Sequence, residues 1–307
     1  MVKKYNINEK YFFYFFRIQS ETLNMLGKGT TFLELSSFEL ENFLIPTPPI
    51  PEQQRIAAYL DAKCAEIDRS MELARQGIDK LKAYRMSVIT EAVTKGLDPD
   101  VPMKDSGVPW IGETPSMWIF EKLKNFFTFE KGINAQKYTK EFIGTHQGDF
   151  PVYSGQTEND GIMGSIDSFD YDIQNCIFTT TVGAKVMSAK VISGKFSLSQ
   201  NCLIMKPINN SVIVEYFLYI LIALFEYEKS LIPTYMQPSL RISDLLKYSF
   251  FIPQNFIEQE QIAAYLDAKC AEIDAIIAQK QELLDKLAAY RKSLIFECVT
   301  GKREVAA

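Results

Sequence analysis

Histidine and cysteine, the residues that most often form zinc sites and catalytic pairs, are scarce in this sequence of 307 residues. The single histidine, His146, lies in Gly-Thr-His-Gln-Gly-Asp without a cysteine or serine partner nearby, so we interpret it as an exposed loop residue rather than a catalyst. The five cysteines are odd in number and form no Cys-x-x-Cys pair. This pattern indicates reduced thiols in a cytoplasmic protein and no zinc site.

Long apolar runs and a secretory leader are also missing. The longest uncharged apolar run, Tyr216 to Phe225, has about half of the ~20 residues that a transmembrane helix requires. The chain does not open with a basic and then apolar leader that ends in a small-residue cleavage site, although Tyr11 to Phe16 is strongly aromatic. We therefore expect no association with a membrane.

An excess of positive charge is lacking as well. The sequence has 33 Lys and Arg residues against 38 Asp and Glu residues, which gives a net charge of -5. This balance argues weakly against nucleic-acid binding unless basic residues are concentrated locally. Hydrophobic residues make up 47 % of the chain, which indicates an ordinary globular protein.

Motifs of several enzyme classes are missing too. We find no Asn/Asp-Pro-Pro-Tyr/Phe methyltransferase motif, no glycine-rich cofactor loop after a strand, no P-loop and no nuclease pattern of paired acids with a lysine. Glu226, Glu228 and Lys229 lie close together, but we interpret them as the solvated face of a helix end. The sequence therefore predicts a protein that is not itself an enzyme.

An internal duplication is the most informative feature that is present. The stretch IAAYLDAKCAEID occurs at Ile56 to Asp68 and again at Ile262 to Asp274. The similarity continues more loosely, so that residues 79–94 resemble residues 285–300. Amphipathic patterning alone does not produce such an identity, and the spacing of the two copies organises the chain.

Apolar residues recur along both copies at alternating intervals of four and three residues, which is the heptad pattern of a coiled coil. A helix that buries only one stripe needs a partner, and the nearest partner is the other copy. The sequence therefore predicts two long helices that pack against each other. The seam positions are Leu60, Ile67, Ile78, Leu81 and Arg85 in the first copy and Leu266, Ile273, Leu284, Leu287 and Arg291 in the second.

A charged residue and a glycine interrupt this seam. Arg85 and Arg291 occupy the same heptad position in the two copies, and such a residue either fixes the register of the pair or contacts a partner. Gly77 in the first copy corresponds to Leu283 in the second. We expect the first helix to be locally less stable there by about 1 kcal/mol.

Between the two copies the sequence changes to a β-rich texture. Leu97 to Gly112 is rich in proline and glycine and is typical of an extended linker. From Trp118 to about Pro253, short β-rich stretches end in glycine or proline, which predicts a mainly β domain. Strands are predicted within residues 150–155, 176–183, 185–194 and 201–207, followed by a helix from Val214 to Lys229.

Residues 1–50 repeat the end of this β-rich domain. Leu33 to Pro46 aligns with Leu240 to Pro253, and the aromatic run that begins at Tyr11 resembles the run that begins at Tyr216. We interpret these residues as the C-terminal remnant of a first domain of the same kind. The side chains of Phe12, Phe13, Phe15 and Phe16 would then lack a domain to pack on, so we expect self-association or burial against a partner.

Three motifs extend the pattern. They are Ile50-Pro-Glu-Gln-Gln-Arg-Ile-Ala-Ala-Tyr-Leu-Asp, Ile257-Glu-Gln-Glu-Gln-Ile-Ala-Ala-Tyr-Leu-Asp and Met103-Lys-Asp-Ser-Gly-Val-Pro-Trp-Ile-Gly-Glu-Thr-Pro. In these motifs, and in its plan of domain, long helix, domain, long helix, the chain resembles the specificity subunits of type I restriction-modification systems over nearly its whole length.

The resemblance implies an α+β fold with one mainly β target recognition domain and two long antiparallel helices that form a coiled-coil spacer. At roughly 1.5 Å per residue, a helix from Glu52 to Lys95 is about 66 Å long, comparable to two turns of duplex at ~34 Å each, so helix length is expected to set the separation of two half-sites. The expected parts are a remnant of a first target recognition domain (1–50), the first long helix (51–98), a linker with the complete recognition domain (99–255), and the second long helix (256–307).

The resemblance also implies partners. They are double-stranded DNA, methyltransferase subunits and, through the complex, a restriction subunit. No cofactor is expected in this chain, because S-adenosylmethionine, ATP and Mg belong to the partner subunits. Two interpretations stay open since the chain is N-terminally shortened. It either reads a half-site as a specificity subunit, with a homodimer restoring two domains, or is a truncated or silent-locus fragment that binds methyltransferase as a scaffold or competitor.

Local charge answers part of the objection from net charge. Residues 173–214 contain Lys185, Lys190, Lys195 and Lys206 without any Asp or Glu. Residues 122–140 contain five lysines against one acid. Lysines on one face supply phosphate attraction while acids lie elsewhere.

Side chains able to read base edges cluster in the same segments, because Asn and Gln pair with adenine and Lys reaches guanine. For any single one of these residues, plain solvation is the competing interpretation. Phe126, Phe127 and Phe129 are suited to base stacking, but we expect them in the core. The predicted DNA-binding residues are Lys131, Asn134, Gln136, Lys137, Ser154, Gln156, Thr157, Asn159, Thr180, Lys185, Lys190, Lys195, Ser199, Gln200 and Asn201.

Overall fold

The computed structural model describes residues 7–27, 34–156, 159–183, 185–233 and 235–306. The chain divides into two compact units: Met1–Lys82 with Ile273–Ala307 form the first, and Ala83–Glu272 form the second. Both long helices contribute residues to each unit.

The described residues contain eight α-helices and ten strands. The helices are α1 (Glu9–Ile18), α2 (Ser20–Leu26), α3 (Ser37–Glu41), α4 (Ile50–Lys95), α5 (Lys140–Thr145), α6 (Val214–Ser230), α7 (Ile242–Leu245) and α8 (Phe256–Val299). The strands are β1 (Met103–Asp105), β2 (Glu113–Pro115), β3 (Ile119–Lys122), β4 (Phe127–Lys131), β5 (Gln147–Tyr153), β6 (Ile162–Ile166), β7 (Tyr171–Thr180), β8 (Ala189–Leu198), β9 (Cys202–Pro207) and β10 (Ser249–Ile252). The α+β fold class that we predicted is confirmed.

In the first unit, α4 and α8 pack antiparallel along the predicted seam. One apolar cluster joins Leu60, Cys64 and Ile67 of α4 to Leu294 and Cys298 of α8. A second cluster joins Ala74 and Ile78 to Leu284, while Leu81 and Leu287 are half-buried. The apolar stripes of the two copies therefore cover each other, as the heptad pattern predicts.

The interruptions of the seam pack across it. The backbone of Gly77 lies against Lys280, whose Nζ would be 3.2 Å from a Cβ placed on the glycine. Arg291 Nη2 lies 3.0 Å from Asp68 Oδ2 on the facing helix. This cross-helix pair favours the register interpretation for Arg291, because it ties one residue of α8 to one residue of α4.

The aromatic N-terminal helix α1 finds its packing surface inside the first unit. Tyr11, Tyr14 and Phe15 are buried in the cluster of α4 and α8, and the Tyr11 hydroxyl donates to the carbonyl oxygen of Val299 at 3.0 Å. Phe12 and Phe16 are partly buried there, and Phe13 is 57 % exposed. The expectation that these side chains need self-association is therefore corrected: the two long helices cover most of them.

The second unit is built around a mixed six-stranded sheet with the order β4-β9-β7-β8-β5-β6. β5 and β8 run parallel, and the other neighbours run antiparallel. Two short antiparallel pairs, β1 with β2 and β3 with β10, accompany it.

Both faces of this sheet are covered. Ile177 in β7 faces a large apolar cluster with α6, whereas its neighbours Cys176 and Phe178 face a second cluster. This alternation follows the two-residue period of a strand. Phe127 is buried beside Phe217 of α6 at a ring distance of 5.3 Å, and Phe126 and Phe129 pack on the same cluster, so the core role predicted for these three side chains is confirmed.

Two further features of the described residues bear on the class of protein. No helix among them is long and apolar enough to span a bilayer. All five cysteines are unpaired and buried, and burial raises the pKa of Cys176 and Cys202 to about 12. These two thiols therefore stay protonated, which suits core packing rather than chemistry.

Candidate nucleic-acid interface

A cleft of about 600 Å³ opens at one end of the sheet of the second unit. Two loops form it: residues 131–137, which follow β4, and residues 199–202, which join β8 to β9, with Thr181 between them. Seven of the predicted DNA-binding residues line this cleft, namely Lys131, Asn134, Gln136, Lys137, Ser199, Gln200 and Asn201.

The two loops meet because β4 and β9 are neighbours and because Gly132 permits a close approach. Lys131 pairs with Leu203 across the β4–β9 ladder, and the hydroxyl of Tyr171 donates to the Lys131 carbonyl oxygen at 2.7 Å. A Cβ on Gly132 would lie 2.5 Å from the carbonyl oxygen of Leu198 at the end of β8. Only glycine fits this contact, so the sequence itself holds the first loop against the second.

A buried carboxylate network anchors the first loop from below. Asp170 accepts hydrogen bonds from Asn134 Nδ2 and from the Tyr138 hydroxyl, each at 2.7 Å. Tyr138 also packs in an apolar cluster with Val152 and Ile166 of the adjacent strands. Asn134 is thus committed to Asp170 through its amide nitrogen, which leaves its carbonyl oxygen as the group that faces other partners.

Four exposed side chains of the cleft are available to a ligand. Gln136 and Gln200 are exposed, and their side-chain amides make no hydrogen bond to another described residue. Lys131 and Lys137 are exposed as well, and Lys137 Nζ lies 4.6 Å from the ring centroid of Phe142. Two cations and two amides therefore project from one end of the domain.

Asn201 and Ser199 shape the second loop. Asn201 has a positive φ of 63°, a conformation that asparagine tolerates better than most residues, and its carbonyl oxygen accepts from Thr181 N at 2.8 Å. Ser199 is largely buried, and its backbone N–H donates to the carbonyl oxygen of Tyr153 at 2.8 Å. These contacts fix the turn that presents Gln200.

The structure places two predicted lysines outside the cleft lining. Lys190 Nζ pairs with Asp160 Oδ2 at 2.7 Å and lies 4.7 Å from the Tyr153 ring centroid. Lys195 Nζ lies 4.7 Å from the ring centroid of Phe169. Both charges are held over aromatic faces, so they are fixed in position and belong to other parts of the domain surface.

Ser154 and Thr180 are corrections to the predicted set, because both are buried and use their hydroxyls internally. Ser154 Oγ accepts from Gln156 N at 3.3 Å, and Thr180 Oγ1 lies 3.2 Å from Ser188 Oγ. A hydroxyl enclosed by its own domain does not reach a base edge. We therefore remove these two residues from the candidate interface.

The remaining predicted residues stabilise turns or fall outside the description. Gln156 Nε2 and Asn159 Nδ2 both donate to the carbonyl oxygen of Ile162, at 2.5 and 3.2 Å, so they hold the turn before β6. Lys185 is half-buried, and its carbonyl oxygen accepts from the Thr180 hydroxyl. Thr157 lies outside the described residues.

Sequence reasoning missed the residues that support the cleft. Asp170 and Tyr138 position Asn134, and Gly132 sets the loop contact. Gly132 directly after a predicted β-rich stretch was the available signal, whereas Asp170 carries none. The lone His146 stacks on Phe142 at 4.0 Å and is exposed, which agrees with its interpretation as a loop residue.

A family-wide sequence comparison decides what kind of domain carries this cleft. The family described as "Type I restriction modification DNA specificity domain" matches residues 1–82 and 115–286. The chain belongs to this family. The resemblance noted from the repeated motifs is thereby confirmed.

Relatives within the family come from several organisms. The chain is 30 % identical over 253 residues to S.MpnORF615P of Mycoplasma pneumoniae, named as a type I specificity subunit, covering 81 % of this chain and 91 % of that protein. It is 29 % identical over 169 residues to the type I restriction enzyme MpnII specificity subunit of the same organism, covering 54 % of this chain and 50 % of that protein. The chain thus spans about half the length of several relatives that it matches.

Solved structures share the fold of this specificity-domain chain. A chain from a study of complex assembly and conformational transition in the type I restriction-modification system aligns with a TM-score of 0.70 and 18 % identity, over 94 % of this chain and 70 % of that one. The specificity subunit from M. genitalium aligns with a TM-score of 0.51 and 19 % identity, over 95 % and 73 %. At these identities the likeness establishes the fold.

Proposed function

We propose that this chain is a DNA-reading specificity subunit of a type I restriction-modification complex, and that the cleft between residues 131–137 and 199–202 reads one half-site. The observation that carries the proposal is the convergence of Lys131, Lys137, Gln136 and Gln200 on one exposed end of the sheet. Membership in the DNA specificity domain family supports the assignment of DNA as the ligand.

The charge of the cleft suits a polyanion although the whole chain is acidic. Its lining contains Lys131 and Lys137 and no Asp or Glu. Each lysine that neutralises a phosphate releases condensed counterions, which makes binding dependent on salt but not on sequence. The two lysines are therefore assigned to phosphates.

The two free amides are suited to sequence readout. A glutamine side chain donates and accepts at once, so it pairs bidentately with the N6 and N7 edge of adenine in the major groove. Gln136 and Gln200 are exposed at the two loops that face each other across the cleft. We assign base contacts to these residues, and a supporting position to Asn201 at the turn beside Gln200.

Assembly and chemistry are assigned to partners. We propose that methyltransferase subunits bind this chain, that a restriction subunit joins through them, and that S-adenosylmethionine, ATP and Mg are bound there rather than here. A homodimer would bring two recognition domains together. Each of these statements follows from the specificity-subunit assignment and is open to direct test.

The test is selection of DNA duplexes from a random library by the purified chain together with its methyltransferase. The proposal predicts one enriched motif, which Gln136→Ala and Gln200→Ala relax at single positions because each bidentate pair discriminates by about 1 to 3 kcal/mol. Gln54→Ala, on an exposed position of α4, is the control and should leave the motif unchanged.

Lysine variants separate phosphate contacts from base contacts. Lys137→Gln should weaken binding to all duplexes and lower the slope of log affinity against log salt by about 1, with the motif intact. Lys247→Gln, an exposed lysine outside the cleft lining, is the control. Enrichment of no motif, with methyltransferase still bound, would overturn the proposal in favour of a scaffold or competitor.

A further inference from the structure

An arginine that follows α8 occupies a defined niche in the first unit. Arg303 Nε donates to Glu297 Oε2 at 2.8 Å, and its backbone N–H donates to the Glu297 carbonyl oxygen at 3.0 Å. The Tyr59 hydroxyl and Glu297 both hydrogen-bond to the guanidinium and raise the pKa of Arg303. Two residues further on, Val305 is buried in the apolar cluster of the unit.

The internal duplication places the same niche in the second unit. Glu297 corresponds to Glu91, Tyr59 to Tyr265, and Ser293, whose hydroxyl donates to Glu297 Oε1 at 2.9 Å, to Ser87. The helix also ends in the same way, since Gly96 has φ +76° and Gly301 has φ +73°. The framework that holds Arg303 is therefore built twice.

The second niche lacks its arginine. Two residues after Gly301 stands Arg303, but two residues after Gly96 stands Asp98, which is shorter and of opposite charge. A groove of about 750 Å³ lies there, and Tyr84, Ser87, Glu91, Asp98, Glu113 and Tyr265 are among its lining residues. Where the first niche is filled, Glu297 is half-buried; Glu91 in the open niche is exposed.

The groove carries an unbalanced negative charge. Its lining includes Glu91, Asp98 and Glu113 against one basic residue, Lys95. Glu91 makes no hydrogen bond or ion pair with another residue that the structure describes. Tyr84 and Tyr265 are 56 % and 38 % exposed and offer aromatic faces to a cation.

We propose that this groove binds an arginine from an extended segment of a partner protein, with an aliphatic residue two positions after the arginine. Glu91 receives the guanidinium as Glu297 receives that of Arg303, and the Tyr265 hydroxyl takes the place of the Tyr59 hydroxyl. A planar guanidinium satisfies a carboxylate and a hydroxyl at once, which the point charge of a lysine does less well.

The occupant is a different protein rather than a second copy of this chain. The arginine and valine that this chain offers at residues 303 and 305 are already bound within its own first unit. Releasing them to fill the groove of another copy would exchange one set of contacts for the same set. The site goes beyond the proposed reading of DNA, and neither depends on the other.

The test uses the full chain and a fluorescently labelled peptide with the sequence of residues 301–307, Gly-Lys-Arg-Glu-Val-Ala-Ala. We expect saturable binding that Glu91→Gln weakens about tenfold or more, since a hydrogen bond to a charged group is lost from a charged pair. The peptide with glutamine in place of arginine should bind as weakly to the unaltered chain. Glu260→Gln, an exposed acid of α8 outside the groove lining, should leave the affinity unchanged.

Glu91 is exposed and its replacement is isosteric, so the variant should keep the far-ultraviolet circular dichroism and thermal midpoint of the unaltered chain. Binding that is absent, or equal in Glu91→Gln, overturns the proposal. Sedimentation equilibrium checks the occupant: a mass that falls from dimer to monomer in Glu91→Gln would show a second copy in the groove and contradict the choice of a different protein. The assay contains no DNA, so its result is independent of the proposed function.

Discussion

The hydroxyl of Tyr219 donates a hydrogen bond of 2.7 Å to Oδ1 of Asp267 in the second unit. Its counterpart in the first unit is the bond of 2.8 Å from the Tyr14 hydroxyl to Asp61 Oδ1. Both aspartates belong to the repeated IAAYLDAKCAEID, and both tyrosines belong to the aromatic helix that precedes each copy. The duplication therefore includes the contact between the long helix and the segment that packs on it.

Removing this contact should destabilise each unit by a similar amount. Tyr219→Phe deletes one hydrogen bond to a carboxylate, and because Asp267 is exposed and hydrates freely, we expect a loss of about 1 kcal/mol in the free energy of unfolding. Tyr14→Phe is the matched variant in the other unit. Urea denaturation measures both, and midpoints equal to that of the unaltered chain in both variants would show that the bond contributes nothing.

Asp61 should make the first unit sensitive to acid. Lys10 Nζ and then the Tyr14 hydroxyl hold the pKa of Asp61 below its ordinary value. A carboxyl with a lowered folded-state pKa stabilises the fold above its unfolded pKa of about 3.9, and this stabilisation is lost as the pH falls through the folded value. The unaltered chain should therefore lose more stability between about pH 5 and pH 3 than Asp61→Asn does.

Urea midpoints across this pH range measure the difference. Lys10→Gln removes the first-named cause while leaving the tyrosine, so its pH dependence should lie between those of the unaltered chain and Asp61→Asn. Identical pH dependence in all three proteins would contradict the role of Lys10 and Tyr14.

Gly77→Ala should stabilise the first unit. The substitution improves helix propensity by about 0.5 to 1 kcal/mol. The new Cβ would lie 3.2 Å from Lys280 Nζ, which is the mobile end of its side chain and moves at little cost. Thermal denaturation should show a higher midpoint, and the gain should be at least as large in a Lys280→Ala background. A lower midpoint would mean that Lys280 is fixed in place.

Gly132→Ala should damage the cleft. The added Cβ would lie 2.5 Å from the Leu198 carbonyl oxygen and 3.1 Å from Leu198 Cβ, so backbone has to move. Overpacking of this kind costs about 1 to 3 kcal/mol, and the displaced loop should also bind duplex DNA less tightly. Gly144→Ala in α5 meets nothing within 4 Å and serves as the control. Equal stability and equal DNA affinity in both variants would refute the close-approach argument.

The helices and their pairing were predictable because their signal is local and repeated. Leu60, Ile67, Ile78, Leu266, Ile273 and Leu284 were placed on one seam by spacing alone, and all six are buried. The strand ends were less accurate. Residues 181–188 carry β-forming side chains, yet the backbone turns there and buries Val186 and Met187 in the core, because the chain must pass from β7 to its neighbour β8.

The candidate site was predictable only in part. Lys131, Gln136, Lys137 and Gln200 belong to two loops that meet through strand pairing, and the loops carried the expected residue types. Ser154 and Thr180 have the same polar character, but the packing of distant residues around them decides that they are buried. Asp170 gives no signal in the sequence, because its role depends on the distant Asn134 and Tyr138.

The most direct measurement of the central claim is methylome sequencing of a host that carries this chain and its methyltransferase. The account predicts methylation at one defined sequence, and a relaxed or shifted sequence when Gln136 and Gln200 are both replaced by alanine. A genome without a mark that depends on this chain, or a mark whose sequence is unchanged by the double replacement, would contradict it.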